Sequence, residues 1–152
     1  MVGIVGDLQG QVLGCRNRVA VGEEIFDDLV ALGLNMRVMA TTDTTDKAEK
    51  LEILFKRYAL CGEVVTTPNR GRDIAPFLIE SARYTSPETV ILHLHTKKSP
   101  HDLAYAGWGK YLRRNLIGSR KIALSILALL AQDDVGVVYA EHFDKVKGLR
   151  NW

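Results

Sequence analysis

The chain contains little cysteine, little net charge and no long apolar run, and each shortage excludes a class of protein. Cys15 and Cys61 are its two cysteines, and without CxxC spacing they indicate free thiols in a reducing compartment rather than disulfides or a zinc site. The net charge of +2 is too small to indicate nucleic-acid binding. The most apolar run lies within residues 122–131 and is too short to span a bilayer. The Gly-rich start has no early positive charge and predicts no signal peptide, so we expect a cytoplasmic protein.

Several catalytic motifs are absent as well. The sequence has no GxSxG nucleophile elbow, no P-loop and no GxGxxG turn, and nothing in it indicates a two-carboxylate hydrolase. Its 152 residues, 47% apolar and 25% charged, are ordinary for a globular domain with its own core. We therefore predict a single domain over residues 1–152, in which residues 1–18 are poorly defined.

Apolar periodicity predicts alternating strands and helices in the order β-α-β-α-β-α-β-α-α-β. The predicted strands are residues 18–21, 36–40, 63–66, 89–94 and 135–139, with residues 1–6 as a weaker candidate for the first. The predicted helices are residues 23–32, one capped by Thr45 or Asp46, and residues 73–84, 105–117 and 119–132. Such alternation with short connections predicts a three-layer αβα fold around a mostly parallel sheet. We expect Val30, Leu78 and Cys61 to pack inward, and Arg113 and Arg114 to lie on the surface.

Polar residues follow the carboxyl ends of four predicted strands. Asp43 and Asp46 follow the second strand, residues 69–73 the third, residues 95–101 the fourth, and Glu141 and His142 the last. The carboxyl ends of parallel strands share one edge of a sheet, and the ligands of α/β folds bind there. These segments are therefore predicted to meet in one binding site.

The segment after the third strand, Asn69-Arg70-Gly71-Arg72-Asp73, suits an anion. Gly71 permits a tight backbone turn, and the helix that begins near Asp73 offers unpaired N–H groups and a positive dipole end. Arg70 and Arg72 add guanidinium groups, which grip a phosphate through two parallel hydrogen bonds. The alternative is structural, with Asp73 capping the helix and pairing with a neighbouring arginine.

The segment after the fourth strand brings His95, Lys97 and Lys98 to the same site. His93 and His95 alternate on a strand and share a face, so with His101 or His142 they are candidate metal ligands, but the adjacent lysines would repel a cation. We expect one of the two strand histidines to be a core residue and His95 to be the better site candidate. Lys97 and Lys98 would neutralise a diphosphate, unless they form an ordinary solvated pair.

Asp43 ends the second strand beside this site. It would accept a hydrogen bond from a base or a sugar, or it would simply cap the next helix. Asp102, Glu141 and Asp144 are candidates for a general base, but the sequence assigns none of them. The catalytic residue is therefore unknown at this level.

The stretches NRGRDIAPFL, LHLHTKKSPH, GWGKYLRRNLIGS and VGVVYAEHF occur in this order between residues 36 and 152. In their residues and in their order they resemble the rhamnan synthesis F family. Its members are bacterial proteins of cell-surface polysaccharide assembly that are regarded as rhamnosyltransferase-like. The resemblance implies a role in rhamnan-type polysaccharide biosynthesis.

A looser resemblance concerns the fold. MATTDTTDKAEKLEIL and PNRGRDIAPFLIESA are similar to the nucleotide-sugar-binding half of GT-A glycosyltransferases, which is Rossmann-like. The resemblance implies a donor pocket formed by Asp43, Arg70, Arg72, Asp73, His95 and Lys97. His95 and Lys97 stand where that fold carries its Asp-x-Asp acids, which implies binding without a metal or another cofactor. GT-A enzymes are longer, so the resemblance also implies a fragment or one module of a longer protein.

The sequence thus predicts a glycosyltransferase, or its donor-binding domain, with a nucleotide-diphosphate sugar such as dTDP-rhamnose and a saccharide acceptor as partners. We expect peripheral association with membrane-bound polysaccharide machinery and no nucleic-acid partner. The alternative is a non-catalytic carbohydrate- or phosphate-binding module of a polysaccharide assembly complex. A metal hydrolase using His93, His95 and His101 is the third hypothesis.

Overall fold

The computed structural model describes residues 2–7, 19–68, 74–84, 86, 88–94 and 107–143. The chain divides into two compact units, Met1–Lys97 and Lys98–Trp152, which are described separately, and the prediction of a single domain stays a prediction. The first unit contains β1 (Val2–Asp7), α1 (Val19–Leu32), β2 (Arg37–Thr42), α2 (Thr45–Arg57), β3 (Gly62–Thr66), α3 (Ile74–Ser81) and β4 (Thr89–Leu94). The second unit contains α4 (Trp108–Ile117) and α5 (Arg120–Leu130).

The four described strands form one sheet in the order β3-β2-β1-β4. β2 and β3 pair in parallel, whereas β1 pairs antiparallel with both β2 and β4. β2, β3 and β4 therefore run in one direction, and β1 runs the opposite way between β2 and β4. The predicted α/β class is confirmed. The predicted parallel sheet is confirmed in part, since β2 and β3 pair in parallel, whereas β1 lies between β2 and β4 and is antiparallel to both.

The core of the first unit begins with α1. Its buried side chains recur every three to four residues and are Ile25, Phe26, Leu29 and Leu32. This spacing places them on one face of the helix. Phe26 meets Phe55 of α2 edge to face, with 5.5 Å between ring centroids, an arrangement that aromatic pairs favour. The contact joins α1 to α2.

α2 buries one helical face, formed by Ala48, Leu51, Leu54 and Phe55. It begins one or two residues earlier than predicted, because the N-cap is Thr44 and neither Thr45 nor Asp46. The Oγ1 of Thr44 accepts a hydrogen bond from the backbone N–H of Lys47 at 3.4 Å. At the other end of α2, the hydroxyl of Tyr58 donates to Asp27 of α1 at 2.8 Å. This hydrogen bond raises the pKa of Tyr58 and links the two helices a second time.

The Met39 side of the sheet packs against α3 and the turn after it. Met39 of β2 is 1% exposed and is surrounded by Val65, Tyr84 and Ile91. Phe77 of α3 stacks on His93 of β4, with 4.0 Å between ring centroids and 8° between planes. His93 is therefore a packed residue of this side.

Helices lie on both sides of the sheet in the first unit. Side chains alternate along a strand, so Val38 points away from the Met39 side. Val38 lines a cavity of about 260 Å³ together with Leu29 of α1 and Tyr58. α1 and the end of α2 thus cover one side, and α3 covers the other.

The amino ends of β2 and β3 carry a network of charges. Glu63 lies 3.8 Å from Arg37 and 3.6 Å from Arg83. A hydrogen bond from Arg83 to Glu80 at 2.7 Å raises the pKa of Arg83, and both guanidinium groups contact the ring of Tyr84. Exposed ion pairs of this kind each contribute at most about 1 kcal/mol, so the network adds only a little to the stability of this end.

Two predicted strands are wrong. Residues 19–21 lie in α1, because their apolar run continues without a break into the helical spacing of Ile25 and Phe26. β1 is formed by Val2–Asp7 instead, close to the weaker candidate. Residues 135–139 form no strand in the described part of the chain, and Val137 and Tyr139 are 71% and 76% exposed. A strand needs a neighbouring strand to pair its backbone groups. Both described elements of the second unit are helices, so residues 135–139 have no described strand of that unit to pair with.

Four side chains also differ from expectation. Val30 and Leu78 are exposed, since each lies beside the buried stripe of its helix and not within it. Cys61 is exposed as well. It follows a turn in which Ala59 has a positive φ of 49°. Arg113 is buried, four residues before the buried Ile117 on the same face of α4.

Gly62 provides a test of the β2–β3 pairing. It opens β3 with φ at 151°, and a Cβ added there would lie 1.7 Å from the carbonyl oxygen of Val38. Gly62→Ala therefore forces the two strands apart, and we expect the free energy of unfolding to fall by more than about 3 kcal/mol. Chemical denaturation followed by circular dichroism measures this change.

Gly109→Ala in α4 is the matched control, because a Cβ there meets no neighbouring atom within 4 Å. Alanine favours a helix interior over glycine by about 0.5–1 kcal/mol, so this variant should be slightly stabilised. A Gly62→Ala chain that unfolds at the same denaturant concentration as wild type would contradict the described strand pairing.

Candidate functional site

The carboxyl ends of β2, β3 and β4 lie at one edge of the sheet. Val2 of β1 is in register with both Ala40 and Leu94, and Ala40 is in register with Val64. These residues are therefore level across the sheet. We call the edge just beyond them, where β2, β3 and β4 end, the carboxyl edge. At about 4.8 Å per strand, the ends of β3 and β4 are about 14 Å apart along it.

The two basic segments predicted from sequence depart from this edge. One follows β3 and leads to α3, and the other follows β4 and leads to α4. The predicted site residues that they carry lie outside the described residues: Asn69, Arg70, Arg72, Asp73, His95, Lys97 and Lys98. The structure gives the points where the two segments leave the sheet, and the roles of these side chains stay predictions.

Asp43 is the predicted site residue that the structure describes. It follows β2 at the carboxyl edge, and its side chain is only 14% exposed. Its Oδ1 accepts a hydrogen bond from Nζ of Lys47 at 2.7 Å. Asp43 is not the helix cap that the structural alternative expected, because Thr44 has that role. A largely buried carboxylate that pairs with Lys47 is thus held at the edge, and its contact with a ligand stays a prediction.

Sequence reasoning missed a group of threonine hydroxyls at the same edge. Thr41 and Thr42 are 2% and 0% exposed, and within the described part of the chain no partner lies within hydrogen-bonding distance of their Oγ1 atoms or of the buried Oγ1 of Thr67. A buried hydroxyl without a partner costs about 1–3 kcal/mol. The predicted strand ends at residue 40, although Thr41 and Thr42 are β-branched, and such residues favour strand structure.

The other histidine and carboxylate candidates are divided between the described and undescribed parts. His93 is half-buried and stacks on Phe77, and the expectation of a core histidine with a satisfied hydrogen bond stays a prediction, whereas His95 and His101 lie outside the described residues. Asp102 and Asp144 lie outside them too. Glu141 of the second unit is exposed and accepts a hydrogen bond from the hydroxyl of Tyr111 on α4 at 3.0 Å.

Glu141 is thereby tied to α4 of its own unit. Phe143 adds a second contact with α4, with its ring centroid 5.3 Å from that of Tyr111. Together they hold the segment after α5 against α4. A role for Glu141 as a base stays a prediction.

Among the described residues, no helix combines the length and the apolar character that a membrane-spanning segment needs.

Comparison with known proteins identifies a family. A family model described as Rhamnan synthesis protein F matches residues 19–147, which begins earlier than the region that carried the resemblance and includes α1. The Uncharacterized protein WxcX of Xanthomonas campestris pv. campestris strain B100 is 32% identical over 120 residues, which are 78% of this chain and 17% of the relative. The protein of the same name from strain ATCC 33913 is 31% identical over 120 residues.

The chain thus spans about a sixth of the length of the curated relatives that it matches. No solved structure matches it, so the similarity to the GT-A fold stays an interpretation of the sequence. The family match covers both units.

The ion pair at the carboxyl edge leads to a stability prediction. Asp43→Asn removes the charge pair with Lys47. An exposed i,i+4 pair contributes about 0.3–0.5 kcal/mol, and because the Asp43 side chain is only 14% exposed, the free energy of unfolding should fall by more than this, by about 1 kcal/mol. Asp46→Asn is the matched control, because Asp46 forms the same kind of pair with Lys50 at 2.7 Å but is far more exposed. Urea denaturation of both variants checks this, and a loss of several kcal/mol for Asp43→Asn would mean that its carboxylate holds the edge together.

Proposed function

The chain belongs to the rhamnan synthesis F family, and from this membership we propose that it binds a nucleotide-diphosphate sugar such as dTDP-rhamnose for bacterial cell-surface polysaccharide synthesis. It does so as a glycosyltransferase or as the donor-binding part of one. The 120 matched residues are only 17% of the relative, so the proposal assigns donor binding to this chain and leaves room for acceptor binding elsewhere in such a protein.

The observation that supports the proposal most is the shared direction of β2, β3 and β4. Because these strands end at the carboxyl edge, the segment that contains Arg70 and Arg72 and the segment that contains Lys97 start from the same side of the sheet. Ligands of α/β folds bind on this side, outside the carboxyl ends of the strands.

Charge gives the two segments their role in the proposal. Arg70, Arg72 and Lys97 bind the diphosphate, the arginines through paired hydrogen bonds and the lysine as a point charge. Negative charge grows on the diphosphate as its bond to the sugar breaks, so fixed cations would favour the transition state over the bound donor. His95 contacts the sugar or a phosphate oxygen, and Asn69, Asp73 and Lys98 complete the pocket.

Binding in this proposal needs no metal. In GT-A enzymes a divalent ion held by two acids offsets the diphosphate charge, and the resemblance aligns His95 and Lys97 with those acids. The basic side chains would supply the positive charge directly, and a second cation beside them would be repelled. The proposal also keeps the cytoplasm as the location and membrane-bound polysaccharide machinery as the peripheral partner.

A non-catalytic module is the second candidate function. The absence of an assigned general base in the sequence favours it, because a donor-binding or saccharide-binding module needs none. The two candidates differ in turnover. Release of dTDP in the presence of a saccharide acceptor supports the transferase, and binding without release supports the module.

Calorimetry with dTDP-rhamnose tests the proposal. Wild type should bind with equal affinity with and without EDTA, and Arg72→Gln should weaken binding about tenfold or more, since a charge-assisted hydrogen bond contributes about 1.5–3 kcal/mol. Lys121→Gln is the control for a lost positive charge, because Lys121 is exposed on α5, and its affinity should equal that of wild type.

Two results would contradict the proposal in different ways. A well-folded wild-type chain that binds no nucleotide-sugar removes the donor-binding function altogether. Binding that disappears in EDTA removes only the metal-free form of the proposal and returns the divalent ion to the site.

A further inference from the structure

β3 is the outer strand of the described sheet, since β2 is its one neighbour there. In a parallel pair, alternate residues of such a strand turn their N–H and C=O groups toward the partner. Val38 of β2 donates to the carbonyl oxygen of Cys61 at 2.7 Å, so the next residue, Gly62, turns both groups away from β2. Val64 and Thr66 follow at steps of two. The backbone groups of these three residues therefore point outward, and no other described strand pairs with them.

A groove runs along this open side of β3. It has a volume of about 600 Å³ and lies between α2 and β3, with Phe55 and Val64 among its lining residues. Glu52 and Lys56 of α2 also line it, both are exposed, and neither forms an ion pair with another described residue. We call the outward backbone of β3 together with Glu52 and Lys56 the β3 flank. An open strand of this kind accepts a further strand.

The charges of the β3 flank match those of a second copy of the chain. Glu52 and Lys56 are four residues apart and lie on the same side of α2. A two-fold axis beside them reverses the direction of the helix, so Glu52 of each copy faces Lys56 of the other. The flank is therefore complementary to itself in charge.

Backbone pairing fixes where the two-fold axis passes. With the axis at Val64, antiparallel β3 strands pair Val64 with Val64 and Gly62 with Thr66, and each pair exchanges hydrogen bonds through the outward groups. Glu63 then lies opposite Val65. A register centred on Glu63 would set this carboxylate against its copy, and like charges directly opposite destabilise a sheet. The register at Val64 thus uses the outward groups of β3 and avoids that repulsion.

The spacing of the helices fits the same pairing. α2 contacts both β2 and β3, and neighbouring strands are about 4.8 Å apart. Two α2 helices that lie over their strand pairs on either side of the axis are therefore about 10 Å apart, the distance at which helices pack. Glu52 and Lys56 of opposite copies then come within reach of each other.

We propose that the β3 flank joins two copies of this chain by antiparallel pairing of their β3 strands, so that one sheet runs through both. A strand pair and two helix sides make a small interface, so the dimer forms at about micromolar concentrations or above. The inference does not depend on the proposed function. The paired strands run in opposite directions, so the carboxyl edges of the two copies face opposite ways.

Charge exchange on α2 tests the pairing. Sedimentation of wild type at increasing protein concentration should show the mass rise from that of one chain to that of two. Lys56→Glu sets like charges against each other, and it should weaken dimerisation about tenfold. Glu52→Lys combined with Lys56→Glu restores opposite charges across the axis and should recover the dimerisation of wild type.

Lys50→Glu is the matched control for the change of charge. Lys50 comes two residues before Glu52, about 200° around the helix from it, where it pairs with Asp46. This variant should dimerise like wild type. An equal loss in Lys50→Glu would mean that net charge sets the association and would overturn the inference.

Amide exchange followed by NMR identifies the strand that forms the contact. On dimerisation the amides of Gly62, Val64 and Thr66 should exchange more slowly, whereas those of Glu63 and Val65 face β2 and should change little. Val64→Pro removes an outward N–H and leaves the bonds to β2 in place. This variant should therefore fold and remain a single chain.

Three results would overturn the inference. A wild-type chain that sediments as one chain throughout the concentration range contradicts it, and so does a charge-exchanged variant that dimerises no better than Lys56→Glu. Slow exchange of the three outward amides already in the single chain would mean that another segment of the same chain covers the β3 flank. None of these results bears on donor binding, which calorimetry measures separately.

Discussion

The candidate site depends on the direction of three strands. β2 and β3 pair in parallel, and β4 runs the same way because β1 lies between β2 and β4 and is antiparallel to both. A reversed β4 would send the segment that contains Lys97 to the opposite edge, where Glu63 and the two arginines form their network. Backbone hydrogen bonds between the strands therefore decide which charged segments can serve one ligand.

Local sequence patterns predicted the elements that depend on local rules. β4 has the predicted bounds, and the cap of α5 is the predicted Ser119, because β-branched runs and capping hydroxyls act over a few residues. The first strand was misassigned since residues 19–21 are as apolar as a strand, and the helical period appears only with Ile25 and Phe26. The reversal of β1 depends on pairing partners distant in the chain, which no local pattern reports.

The site was predictable only in outline. That polar segments follow strand ends can be read from the sequence, and the described strands support it for the segments after β2, β3 and β4. The burial of Thr42 and its lack of a partner could not be predicted, because both depend on how neighbouring strands and helices cover it. The burial of Arg113 could not be predicted either, because it follows from packing and not from the charge of the side chain.

The pairing of β1 with β4 has a consequence for the order of folding. The aromatic contact between α1 and α2 joins residues close in sequence, and so does the β2–β3 pairing, whereas Val2 and Leu94 come from opposite ends of the first unit. Closing a longer loop costs more chain entropy and slows folding. We therefore expect α1, β2, α2 and β3 to condense as an early nucleus and β4 to dock late, with high φ-values at Phe26 and low ones at Ile91. A ribosome would release the residues of that nucleus before β4 has been synthesised.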